Sequence, residues 1–100
     1  MDERRHWRRV TFFCEALLEG IDVSHAHVRI ADLSVGGAFI DARTVLPPGA
    51  LVNVRFTLLN QEVAATAEIR YSMPGMGMGL RFVELSSDAR DLIARFVEGH

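Results

Sequence analysis

LVNVRFTLLNQEVAATAEIRY, residues 51–71, decides the fold. Val52, Val54, Phe56 and Leu58 alternate with Asn53, Arg55 and Thr57. After a tight turn at Asn60-Gln61, Val63, Ala65, Ala67, Ile69 and Tyr71 repeat the pattern. Successive side chains of a strand point to opposite faces, so each half reads as a strand with one buried face. Two such runs joined by a short turn make an antiparallel hairpin.

The same period extends in both directions. Val10, Phe12, Cys14, Ala16 and Leu18 alternate with Thr11, Glu15 and Glu19, a strand ending near Gly20. A turn over 20–24 leads to a second strand from His25 to Ile30, with Ala26, Val28 and Ile30 inward. Asp32–Gly37 reads as a glycine-bearing turn and Ala38–Asp41 as a short third strand. Pro47-Pro48-Gly49 then punctuates the chain, since Pro presets φ and Gly tolerates positive φ. Beyond the hairpin, the Met- and Gly-rich stretch Ser72–Gly79 reads as a loop, with Leu80 and Phe82 in a final strand.

Period two stops at Leu85. Ala89, Leu92, Ile93, Phe96 and Val97 follow helical spacing, an amphipathic helix over about 87–98. Ser86-Ser87-Asp88 supplies N-cap candidates and Gly99 a stop. The expected fold is all-β: a small six-stranded antiparallel β-barrel, closed to avoid exposed edges, with a C-terminal α-helix.

Composition narrows the function. One hundred residues, 49% apolar and 24% charged, describe one soluble globular domain and leave no room for two. No apolar run approaches the ~20 residues of a membrane-spanning helix, so no membrane insertion is expected. The charged start, without a signal-like apolar stretch, points to the cytoplasm. The net charge of −2 argues against a nucleic-acid coat, so neither DNA nor RNA is an expected partner. All eleven basic residues are Arg, and four of them, Arg4, Arg5, Arg8 and Arg9, stand before the first strand. Against Asp2 and Glu3 they leave residues 1–9 at +2 and the rest at −4. Anion binding must therefore be local to this segment.

Enzyme chemistry finds no constellation. Ser24 and His25 are chain neighbours, which does not make a nucleophile and its base. His25 and His27 share one face of a strand but lack a third ligand, so no metal is expected. The single Cys14 excludes an internal disulfide and falls in the apolar pattern as a core residue. No catalytic residue and no cofactor is assigned.

Two segments carry binding chemistry. In Arg4-Arg5-His6-Trp7-Arg8-Arg9, arginine forks match phosphate oxygens or the O6/N7 edge of guanine. Arg5 and Arg9 can close on an anion from two sides, and Trp7 adds an aromatic face. In Asp32-Leu33-Ser34-Val35-Gly36-Gly37, Asp32 and Ser34 can cap the turn themselves. They equally offer a carboxylate and a hydroxyl to a ligand, while the glycines permit close backbone approach.

Arg5-x-x-x-Arg9 ahead of a strand, Asp32-x-Ser34-x-x-Gly37 and the closing Tyr71…Gly77-Met-Gly-Leu-Arg-Phe82 together resemble a PilZ domain, over nearly the whole chain. The resemblance implies a six-stranded antiparallel barrel and a receptor for the bacterial second messenger cyclic di-GMP. It implies that Arg5 and Arg9 hold phosphodiesters and guanine edges, that Asp32 and Ser34 read a guanine, and that Gly37 shapes the turn. Arg4 extends the basic run as a further contact. Arg4–Arg8 also fits the spacing, but the family's second Arg sits just before the strand, where Arg9 stands. One or two nucleotides per chain both fit the resemblance. Four arginines exceed the need of one dianion, a lean towards an intercalated pair.

Residues 1–9 are expected to be a flexible arm and 10–100 a single domain without an output module, relaying ligand state to an unidentified protein partner. The alternative is a PilZ-like adapter, for example in pilus assembly or motility, that binds protein without nucleotide. A third class, a basic-arm RNA or DNA binder, fits the acidic body poorly.

Overall fold

Val52, Val54, Phe56 and Leu58 are all buried, at 4% exposure or less, while the residues between them face solvent. The computed structural model describes residues 9–20 and 26–99. Its elements are β1 (Val10–Gly20), β2 (Ala26–Leu33), β3 (Gly37–Asp41), β4 (Leu51–Leu58), β5 (Gln61–Met73), β6 (Gly77–Leu85) and α1 (Ser87–Glu98). The six strands form a closed barrel in the order β1-β2-β3-β6-β5-β4, every pair antiparallel. Closure comes from β1 against β4, from Ala16 opposite Phe56 to Gly20 opposite Val52. No strand edge is left along the ring.

Inward residues of all six strands share one core, in which Ile30, Leu33, Ala38, Ile40, Val54 and Ala67 are fully buried. The helix begins at Ser86, whose hydroxyl accepts the Ala89 N–H at 3.1 Å. It buries Ala89, Leu92, Ile93, Phe96 and Val97. Phe96 meets Phe12 of β1 edge-on, ring centroids 4.5 Å apart. Cys14 is half-buried against this core, and burial pushes its thiol pKa above the ordinary 9.0.

Four readings of the sequence change. The hairpin turn lies at Leu59-Asn60, both left-handed with φ of 50° and 65°, and Gln61 already pairs with Leu58 as the first residue of β5. Two central residues at positive φ match the twist of the flanking strands, which favours this turn despite a leucine in it. β2 runs on through Asp32 to Leu33, so the turn itself is shorter than Asp32–Gly37. The Ser72–Gly79 stretch is mostly strand, the connection shrinking to three residues with Gly75 at φ 81°. Tyr71, expected inward, is 48% exposed. A bulge between Ile69 and Tyr71 inserts Arg70 against adjacent partners Leu80 and Gly79, and the extra residue reverses the alternation.

Candidate functional site

Val10 opens β1 opposite Leu33, and Thr11 stands opposite Asp32. This register carries Arg9, the residue just before β1, to the end of β2. Its Nε donates to Asp32 Oδ1 at 2.9 Å, both side chains being partly exposed, at 42% and 31%. Arg4, Arg5, Trp7 and Arg8 lie outside the described residues, as do Ser24 and His25.

Past Leu33 the chain turns on Ser34. Its N–H donates to the Gly37 carbonyl at 2.9 Å, and its hydroxyl accepts the N–H groups of Gly36 and Gly37, each at 3.2 Å. The same hydroxyl donates to the Gly37 carbonyl at 3.3 Å, and the residue is 1% exposed. Ser34 thus holds the turn from inside, while Asp32 faces out beside it. A Cβ at Gly37 would lie 2.0 Å from the Leu80 carbonyl oxygen, so only glycine lets β3 approach β6 here.

On the outer barrel wall Asp32 begins a row of cross-strand partners: Asp32, Phe39, Gly79 and Tyr71. The Phe39 and Tyr71 rings stack across the bare Gly79, centroids 6.2 Å apart and 29° from parallel. A Cβ on Gly79 would meet the Tyr71 ring at 2.3 Å, so the glycine is what lets the ring lie down. Further ion pairs border this aromatic floor on both sides. In the row of Gly37, Arg81 and Glu68, Arg81 Nη2 donates to Glu68 Oε1 at 2.8 Å. In the row of Arg29, Asp41, Gly77 and Met73, Arg29 bonds Asp41 Oδ2 through Nη2 at 2.7 Å and Nε at 3.2 Å. Its guanidinium also lies 4.7 Å from the centre of the Phe13 ring.

The structure therefore joins Arg9, Asp32, Ser34 and Gly37 in one place and adds Phe39, Tyr71 and Arg81, to which sequence reasoning gave no place in the site. A signal for the Tyr71 ring existed. Gly77 and Gly79, two apart with buried Met78 between, mark a strand whose outer face is kept bare for something laid across it. Chemically, the assembly offers a forked cationic donor, a carboxylate acceptor and an aromatic face within neighbouring rows. That set suits a ligand combining anionic groups with planar, hydrogen-bonding rings. Among the described residues no three His, Cys, Asp or Glu side chains gather to hold a metal, and no helix is long and apolar enough to cross a membrane.

Known proteins share this architecture. The Bacillus subtilis inhibitor of motility, MotI/DgrA, superposes with a TM-score of 0.85 at 13% identity, over 98% of this chain and 51% of that one. The PilZ domain of CeSA from a cellulose-synthesizing bacterium superposes with a TM-score of 0.69 at 22% identity, over 91% and 95% of the two chains. An uncharacterized protein of Aquifex aeolicus (strain VF5) is 35% identical over 72 residues. The chain spans about a third of that relative's length, the match covering 68% of this chain and 36% of the other. The family model of the PilZ domain matches residues 2–99. The chain belongs to the PilZ domain family.

Proposed function

We propose that this PilZ domain is a receptor for cyclic di-GMP that relays the ligand's presence to a protein partner. The observation that carries the reading is the meeting of Arg9 and Asp32 beside the Ser34–Gly37 turn. Cyclic di-GMP combines two phosphodiester anions with two guanines. An arginine fork suits the first, and a carboxylate accepts the adjacent N1–H and 2-amino donors of guanine, a pair that adenine, whose N1 is an acceptor, does not present. Phe39 and Tyr71 supply a face on which a base can stack, each such contact contributing about 1–3 kcal/mol. Arg5, four residues before Arg9, is the second arm of the clamp, with Arg4 beside it. Binding without chemistry suffices for this role. No cofactor enters it, and the cytoplasm is where such a receptor would act.

Exposed Tyr71, Met73 and Met76 near the β5–β6 connection favour a second reading, an adapter that grips protein and ignores nucleotide. Calorimetric titration of the domain with cyclic di-GMP separates the two. Saturable binding, with cyclic di-AMP failing to compete, supports the receptor. No binding leaves the adapter.

A further inference from the structure

We propose that Arg81 is a further ligand-contacting residue, holding a phosphodiester from the barrel wall while Arg9 holds the ligand from the segment before β1. The inference rests on the cyclic di-GMP reading above. Leu80 and Phe82 point into the core, so Arg81 between them points out. Its cross-strand neighbours are Gly37 on one side and Glu68 on the other. A Cβ at Gly37 would lie 2.0 Å from the Leu80 carbonyl oxygen, so the position opposite Arg81, at the end of the turn that Ser34 holds, carries no side chain. Two residues along the strand lies Gly79, covered by the Tyr71 ring that stacks with Phe39. A molecule resting on that floor therefore meets Arg81 without displacing a side chain from β3 or β6.

Glu68 is the group it must displace. Arg81 donates to it through Nη2 alone, and the two side chains are 48% and 30% exposed. A phosphodiester oxygen is the same kind of acceptor as the carboxylate, so one anion replaces another on a guanidinium already directed at this face. Arg29, on the opposite border, is less free. It donates twice to Asp41 and stacks on Phe13, all of which a ligand would have to undo.

The test is a titration of the full chain with cyclic di-GMP in four forms: wild type, Arg81→Ala, Glu68→Gln and the double variant. Arg81→Ala should weaken binding about tenfold, as expected for a lost hydrogen bond to a charged group. Glu68→Gln should strengthen binding, because the competing carboxylate is gone. The double variant should behave as Arg81→Ala, the gain having no arginine to act through. Thermal unfolding should scarcely change in any of them, since an exposed ion pair contributes little. Wild-type binding with an unaffected Arg81→Ala variant overturns the proposal and leaves the receptor reading intact. A Glu68→Gln gain that persists without Arg81 overturns it too, being general charge repulsion. Absence of wild-type binding removes both together.

Discussion

Arg9 and Asp32 are 23 residues apart in sequence and 2.9 Å apart in space. The β1–β2 hairpin brings them together, through the register that sets Thr11 opposite Asp32. One antiparallel pairing thus positions both ends of the candidate site, and a one-residue slip would turn Asp32 from the outer face to the core. In the free protein the pair neutralises itself, so a ligand must take over each partner's hydrogen bond. That exchange favours a molecule carrying both an anion for Arg9 and donors for Asp32.

Asp32→Ala should weaken cyclic di-GMP binding about tenfold, the cost of one hydrogen bond to a charged group. Stability should fall by no more than about 1 kcal/mol, because the ion pair is partly exposed. Titration and urea unfolding of the same preparation check both statements.

Ser34→Ala and Gly37→Ala should show the opposite balance. Removing the Ser34 hydroxyl leaves the Gly36 and Gly37 N–H groups without their acceptor inside the protein, a loss of about 1–3 kcal/mol. A methyl group at Gly37 drives into the Leu80 carbonyl and costs at least as much, about 1–3 kcal/mol or more. Urea unfolding midpoints should drop clearly in both, and affinity should fall because the turn beside Asp32 is lost.

Tyr71→Ala should weaken binding by about 1–3 kcal/mol if a base stacks there, with a smaller effect on folding because the ring is half outside. Affinity equal to wild type would remove the aromatic floor from the site.

Most of the architecture was legible in residues 10–20, 51–58, 61–69 and 86–99, because each has one buried face and a regular period. The helix face Ala89, Leu92, Ile93, Phe96 and Val97 is buried as its spacing required. Tyr71 and the Gly77–Gly79 stretch were misread for two separate reasons. A bulge shifts the period by one residue, and bare glycines imitate a loop while serving as the bed for an aromatic ring. At the site, residue types suggested what Asp32 and Arg9 could bind. Their mutual contact, and the placing of Phe39 and Arg81 beside them, depend on pairing between strands far apart in the chain. No local pattern reports that.

Cys14 should react slowly with a thiol-alkylating reagent in the folded protein. Burial raises its pKa above 9.0, so less of the nucleophilic thiolate is present at neutral pH than in a free thiol. The rate should still be climbing as pH passes 9, whereas the denatured chain should react at the ordinary rate. Fast labelling of the native domain at neutral pH would mean that β1 opens near Cys14.

The central claim is that the Arg9–Asp32 corner binds cyclic di-GMP. Its most direct test is isothermal titration of the wild-type chain and of Arg9→Ala, under identical salt. Saturable heat in the wild type, with affinity at least about tenfold lower in the variant and a stability loss of no more than about 1 kcal/mol, is the expected result. Equal affinities in the two proteins, or no binding to either, would contradict it.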